Sequence, residues 1–371
     1  MEKRKPENVG VSNPYALAEV MLKRRIEWSR VGDPRKLLEE TLGMSYEKLF
    51  DPINDSPLYA GLKYQPKTKS LERIEIPPTA VGAHRALIEV RATTVWVDPG
   101  DFFEEGAELT DPIQGGVANC YLIAALASVA WARTYRIAQR TRATDASGGF
   151  VDMIDFHKVG KWEKVEVTEL LPMNSPSNTF IYARSSDPGE IWPAIYEKAY
   201  AKWITNHPGD KPDITRTAFG DPVGAAARLT GLTPYYYLTS AHSSNSIWHI
   251  VRSNCISRKT FNPMVAWTYS SGEDSPDKVK YSDANLVANH AYSILGWQYA
   301  NNQKYIVLRN PWGWKEATLN VALGCWVAWD APYYGGPGFW RVITMATHDG
   351  IFALRVDTFK KYFARFGLVK E

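Results

Sequence analysis

Residues 114–131 read QGGVANCYLIAALASVAW, and the reading of the fold turns on them. Leu122, Ala125, Leu126 and Val129 recur at helical spacing, so a helix is expected from about Asn119 or Cys120, with that face buried. A cysteine in the first turn of such a helix meets unpaired backbone N–H groups and about half a positive charge, which favours thiolate over thiol. Gln114 stands a short way upstream, in a Gln114-Gly115-Gly116 turn able to fold its amide back toward the cysteine. A side-chain amide and the nucleophile's own backbone N–H would together form an oxyanion hole. Taken alone, a single cysteine is more often a buried, inert one.

The rest of the chain sets the frame for that helix. It has 371 residues, with 43 Lys+Arg against 40 Asp+Glu and a net charge of +3, too small an excess to argue for a nucleic-acid or membrane-surface protein. Hydrophobic residues at 45% and charged residues at 22% exclude wholesale disorder. The 14 Trp and 20 Tyr are of a density that lines cores and clefts. No stretch reaches the ~18 apolar residues of a membrane span. The opening MEKRKPENVGVSNPY is charged and turn-rich, without the apolar segment of a secretory signal. Cys120, Cys255 and Cys325 make neither a disulfide framework nor a zinc motif. An intracellular, cytoplasmic protein with free thiols is expected.

Three regions are expected. Residues 1–91 read as a helical extension and linker, with helices over Tyr15–Trp28 and after the Asp33-Pro34 cap up to Gly43. Residues 92–218 form a first lobe. It opens on a strand-like Leu87–Trp96 stretch and holds the Cys120 helix and a second helix over Ile191–Ile204, with a loop from Pro208 to Pro222. Residues 219–371 form a second lobe, in which IWHIVRS, MVAWTYS, HAYSILGW, KYIVLRN, GFWRVIT and GIFALRV all read as strands. The class is α+β, with a cleft between unlike halves.

Two residues of the second lobe give Cys120 its partners. His290 opens the HAYSILGW strand after a polar turn, Ser282-Asp283-Ala284-Asn285, and KYIVLRN ends at Asn310, where Pro311 removes the next ladder donor. If those strands are antiparallel neighbours, Asn310 lies beside His290 and its amide holds the imidazole in one tautomer. Each feature has an ordinary structural reading, a satisfied histidine or an Asn-Pro turn. Together, in the order Cys…His…Asn, they read as nucleophile, base and orienter.

The segment around Cys120, the WPAIYEKAYAKW helix, NHAYSILGW and LRNPWG, in this order, resemble the papain-like protease core of the calpain family, as does HDGIFALRVDTFKKYF near the end. The resemblance covers about Ala92 to Phe363. It implies a two-lobe papain-like fold, with Cys120 as nucleophile, His290 as base and then acid, Asn310 as orienter and Gln114 as oxyanion donor. It also implies Trp312 as a shield over the His–Asn pair, and Asn289 and Gly224 among the substrate-binding positions. The chain departs from the family where Ala118-Asn119-Cys120-Tyr121 replaces Gly-Asp-Cys-Trp and where Asn289 replaces the usual Gly. No β-sandwich or EF-hand module is expected after Phe363.

Members of the family are often switched on by calcium, and the resemblance implies a first-lobe site from Glu104, the Gly106 carbonyl, Asp111 and Glu197. Carboxylate and carbonyl oxygens suit a hard cation. In the second lobe Glu316 and Asp349 match, but Ile351 stands where an acid is expected, which leaves that site incomplete. Cys255 and Cys325 are expected to be packing cysteines, and the other histidines show no metal spacing. The stretch Trp326–Trp340 is an aromatic, Gly-rich insertion, read either as a cleft wall or lid or as a local core.

The expected function is that of a calpain-like cysteine endopeptidase acting on a protein or peptide substrate. Its chemistry requires no cofactor, and Ca2+ is a possible activator. The same acyl-thioester passed to an amine, as in transglutaminase-like chemistry, is a second reading, which a water-excluding aromatic lid would favour. An inactive protease-like binding module is a third.

Overall fold

The computed structural model describes residues 94–371, apart from 105, 139–140, 145–148, 176, 331–338 and 346. The expected helices over Tyr15–Trp28 and after Asp33, and most of the Leu87–Trp96 strand, lie outside the described residues.

The first half runs β1 (Thr94–Val97), α1 (Cys120–Ala132), α2 (Thr134–Ala138), β2 (Thr141–Thr144), β3 (Phe150–Lys158), β4 (Lys161–Thr168), β5 (Leu171–Asn174), β6 (Thr179–Phe180), α3 (Trp192–Thr205) and α4 (Pro222–Thr230). The second half runs β7 (Thr233–Leu238), α5 (Ser244–Ser253), β8 (Cys255–Ile256), β9 (Lys259–Thr268), β10 (Ala291–Ala300), β11 (Gln303–Arg309), β12 (Val321–Ala322), β13 (Cys325–Asp330), β14 (Phe339–Thr344), β15 (Ile351–Arg355), α6 (Val356–Tyr362) and β16 (Phe363–Lys370). The class is α+β, with the helix-containing first half and strand-rich second half that the resemblance implies.

Two small antiparallel sheets, β1-β5-β6 and β2-β3-β4, accompany α1 and α3. Their apolar faces join Leu122, Leu126, Trp192, Ile195 and Tyr200 in one core, which also takes Val223, Ala226 and Leu229 from α4. The large sheet has the order β12-β15-β11-β10-β9-β16-β7, with β8 beside β9. Its centre, β9 to β11, is almost continuously buried, as strands covered on both faces must be.

Helix α1 is the element between the two parts. Residues Tyr121 to Trp131 are all buried, so the helix has no solvent face. Its polar groups are spent on the large sheet. Ser128 Oγ donates to Met264 O at 2.9 Å and accepts the Met264 N–H at 2.8 Å. Trp131 Nε1 donates to Leu295 O at 2.7 Å, and Ser293 Oγ returns a bond to Ala124 O, also 2.7 Å. These contacts lay α1 against β9 and β10, which brings its N-terminus to the start of β10.

One expected strand is a helix. IWHIVRS lies within α5, where Ser243 caps the chain by accepting the Ser246 N–H at 3.1 Å and Ile247, Trp248 and Val251 face inward. That spacing is helical; the β-branched residues disguised it. The aromatic insertion is a hairpin, β13 paired with β14, with Trp326 packed 5.9 Å from Trp131. Its base is therefore part of a local core at the far end of α1, and residues 331–338 lie outside the described residues.

Candidate active site

Cys120 is the first residue of α1, directly after Asn119. Asn119 is wholly buried, and its Nδ2 donates to Glu197 Oε1 at 2.6 Å and to Thr217 Oγ1 at 3.0 Å. The other Glu197 oxygen accepts the Ala183 N–H at 2.9 Å. Glu197 thus fastens the start of the helix from below. Burial pushes its carboxyl up to about 7. This chain carries Asn119 where the family usually has Asp, and an amide is what a buried carboxylate neighbour needs.

The loop ahead of Cys120 is held as tightly. Ile113 exchanges backbone bonds with Arg184, and the Gly116 N–H meets Ile181 O at 2.8 Å. A Cβ on Gly115 would lie 2.0 Å from Tyr182 O, so this close approach demands glycine. Gln114 donates from Nε2 to Val117 O at 2.6 Å, and its backbone N–H reaches Pro311 O at 2.9 Å, in the turn after Asn310.

His290 immediately precedes β10, and Asn310 follows β11, its antiparallel neighbour. The His290 Nε2 lies 2.9 Å from Asn310 Oδ1. The Asn310 amide is fixed at both ends: Nδ2 donates to Lys315 O at 3.0 Å, and Oδ1 also accepts the Trp312 N–H at 3.1 Å. An oxygen that accepts must be met by a donor, so the neutral imidazole carries its proton on Nε2 and leaves a lone pair on Nδ1. The His290 ring sits between Trp312, with ring centroids 4.7 Å apart, and Tyr292 at 5.0 Å. Its backbone is pinned to Thr268, whose N–H donates to His290 O and whose Oγ1 accepts the His290 N–H.

Cys120 meets this group through the first residue of β10. The backbone N–H groups of Ala291, Tyr121 and Cys120 itself are directed at the sulfur. They pull the thiol down, but burial outweighs them and pushes it up to about 11. Burial likewise drives His290 down to about 4; its bond to Asn310 opposes the shift, and the Lys315 charge adds to it. Desolvation thus opposes the pull that the N–H groups of the helix start exert on the sulfur.

Asn289, before the histidine, is exposed and has φ +50°, a left-handed position that Asn tolerates in place of the family's Gly. Gly224 lies in the first turn of α4, where a Cβ would stand 2.8 Å from Asp221 Oδ2. Cys255 donates its S–H to Val251 O at 3.2 Å, and burial raises its thiol. Cys325 lies in β13 with Thr344 Oγ1 at 3.9 Å.

The acidic residues gather differently from the set implied by resemblance. Asp111 meets Asp187 and Glu190, with one ligand atom of each within 4.8 Å of the others. Glu197 is tied to Asn119 and Ala183 instead. Glu104 is exposed beside the cluster, giving its N–H to the Glu190 carboxylate at 3.4 Å, and Gly106 lies on the same loop with φ +114°. Asp111 Oδ2 accepts the Glu108 N–H and the Trp192 indole N–H, whereas its Oδ1 is buried without a hydrogen-bond partner. Burial, then the Glu190 charge, raises the Asp111 carboxyl; burial raises Glu190 to about 8, helped by Asp187. Asp187 and Glu190 were missed, although the Ser-Asp-Pro-Gly-Glu turn ahead of α3 is their sequence signal.

In the other half Glu316 and Asp349 face each other, burial first and the neighbouring charge second lifting Glu316 to about 7. Ile351 pairs with Arg309 in the sheet and is buried, so it adds no oxygen. Arg309, also missed, is wholly buried; its guanidinium donates to Pro112 O at 2.9 Å and Thr110 O at 2.6 Å, on either side of Asp111, and faces Asp349.

Cys120, at a helix start, takes the Ala291 N–H, and the neighbouring His290 is bonded to Asn310. Residues 63–370 match the model of the calpain family cysteine proteases. The chain belongs to this family. A thiol protease of Porphyromonas gingivalis is 26% identical, the alignment covering 95% of this chain and 86% of the relative. The bovine calpain-1 catalytic subunit is 26% identical over 87% of this chain and 43% of its own length. Human calpain-8 is 27% identical over 76% of this chain and 38% of its own length. The chain thus spans less than half the length of these calpain relatives. The family is described as one of cysteine proteases. Among the described residues no helix is long and apolar enough to cross a membrane.

Proposed function

We propose that this calpain-family protein is an endopeptidase whose nucleophile is Cys120, with His290 as base and then acid and Asn310 as its orienter. The observation that carries the reading is the fixed Asn310 amide, which directs the Nδ1 lone pair of His290 away from Asn310 and leaves it for the thiol proton. As substrate binds, the Cys120 proton passes to Nδ1 while the sulfur attacks the scissile carbonyl carbon. The oxyanion is met by the Cys120 N–H and by the second hydrogen of Gln114 Nε2, the first being used on Val117 O. His290 gives its Nδ1 proton to the leaving amine, the C–N bond breaks, and a thioester remains on Cys120. Water, deprotonated by Nδ1, attacks the thioester, and the collapse of that intermediate returns the proton to sulfur and frees the acid.

Hydrolysis is preferred to amine transfer here because the described base of the aromatic hairpin packs at Trp131, ~16 Å along the helix from Cys120 at 1.5 Å per residue. Incubation of the protein with a denatured protein substrate, with products mapped by mass spectrometry, tests the reading. New peptide termini are expected with the intact protein and none with Cys120→Ala. Cleavage that survives Cys120→Ala overturns the nucleophile, and adducts of an added amine in place of free carboxylates overturn hydrolysis.

Calcium belongs to the same reading. The orphaned Asp111 Oδ1 and the mutual repulsion of Asp111, Asp187 and Glu190 fit a hard cation. When bound, the ion would supply charge neutralisation. The residues themselves fix the loop that ends in Gln114.

A further inference from the structure

Lys315 is a half-buried cation at the rim of the candidate site. It occupies a left-handed position, φ +62°, unusual for a long side chain. Its backbone carbonyl is the acceptor that fixes Asn310 Nδ2, so its Cα is anchored to the orienter itself. Its ammonium stands 5.9 Å from the centroid of the Trp312 ring, the ring that covers His290. No carboxylate among the described residues lies within ion-pair distance of it. The acids of the neighbouring turns are engaged elsewhere, Glu316 with the Gly350 N–H and Asp349 with the Ile351 N–H. Its charge is unfavourable to the charged form of His290, so it does not serve to hold an imidazolium there.

The direction of the chemistry says which part of a substrate meets it. The acyl half of the scissile bond ends on the Cys120 sulfur, and the leaving amine departs past His290. The groups stacked outward from His290, Trp312 over its ring and Lys315 over Trp312, therefore border the leaving half. We propose that Lys315 selects substrates carrying a carboxylate on the leaving-group side, within the first two residues after the scissile bond. This rests on the Cys120–His290 reading above. The carboxylate is that of an Asp or Glu side chain or of a free C-terminus, and both have the same chemistry.

Matched peptides with Glu or Gln at the first or second leaving-side residue, each with a free or an amidated C-terminus, test it against the full-length protein, Lys315→Asn and Lys315→Glu. Asn is chosen because it accepts φ > 0. The Glu/Gln ratio of kcat/KM is expected to be roughly fivefold in the unaltered protein, the scale of a half-buried ion pair. It is expected to fall to near one in Lys315→Asn and to invert in Lys315→Glu. A preference for the free terminus that disappears on amidation would assign the C-terminal carboxylate. A ratio of one in the unaltered protein, or the same ratio in all three, overturns the proposal. Calorimetric titration of the same peptides onto Cys120→Ala protein, with and without Lys315→Asn, separates the two readings. Ranked binding without any hydrolysis keeps the carboxylate site and rejects the protease mechanism, whereas unranked binding rejects the carboxylate site alone.

Discussion

His290 Nε2 lies 2.9 Å from Asn310 Oδ1, and that oxygen can only accept. The relationship gives the imidazole one tautomer before any substrate arrives. Asn310→Ala removes the acceptor and lets the ring exchange tautomers and rotate. The expected result is a kcat lower by on the order of 100-fold, with KM changed much less. Asn310→Asp puts a carboxylate in place of the amide oxygen, and the His290 pKa should climb from about 4. Nuclear magnetic resonance of the ring protons reads that shift; an unmoved pKa would sink the assignment.

The burial of both reacting groups has an expected kinetic signature. It pushes the Cys120 thiol up to about 11 and His290 down to about 4, so little thiolate is expected in the neutral range before substrate binds. Alkylation of Cys120 by iodoacetamide should quicken about tenfold per pH unit across the neutral range. Rates followed by peptide mapping from pH 5 to pH 9 check it. A plateau extending below pH 7 would mean that an ion pair exists before substrate binds.

Glu190 shows the opposite sign. Its folded-state pKa of about 8 is raised above the ordinary 4.5, so its contribution to stability is complete below 4.5 and is lost as pH rises through 8. Glu190→Gln should raise the melting temperature of the metal-free protein at pH 8, by about 2 °C or more, and by little at pH 5. On the calcium reading proposed above, it should also remove most of the stabilisation expected from millimolar calcium. Equal calcium shifts in both proteins would take Glu190 out of the cation site.

Arg309 ties the loop around Asp111 to the end of β11, inside the large sheet. Arg309→Met leaves Thr110 O and Pro112 O without their donors and Asp349 without its facing charge. The expected loss of stability is about 3 kcal/mol, read by urea unfolding. Arg309→Lys keeps the charge but cannot fork between two carbonyls, and should fall between the two. A neutral result for Arg309→Met would show that the loop finds other partners.

What the residues announced in advance was the part of the molecule that repeats. The buried face of α1 and the strands leading into His290 and Asn310 carry regular apolar spacing, and Pro311 marks where the ladder stops. The pairing of those two residues followed from the strands being neighbours. What escaped notice depends on distance in sequence. Asp187 and Glu190 join Asp111 only because their turn runs beside the 101–113 loop, as the Asp101 and Ile113 bridges record. Glu197 lies on the helix face turned toward Asn119, and spacing along one helix does not tell which neighbour that face meets. Arg309 reads as a strand end reaching for water, whereas the carbonyls that bury it belong to another segment. A helix terminus is visible in sequence, whereas the desolvation that opposes its pull on Cys120 is not.

Helix α1 has no solvent-facing residue between Tyr121 and Trp131, and Ala124, Ala125, Ala127 and Ala130 are packed at or near zero exposure. A larger side chain at any of these alanines has to displace a neighbouring wall. New cleavage preferences are therefore expected from the rim, where Asn289 and Lys315 hold left-handed backbone, as does the exposed Phe219, whose N–H donates to Ala118 O at 2.9 Å just ahead of Cys120. A mutant library aimed at new cleavage preferences would leave the helix alone and sample those three positions.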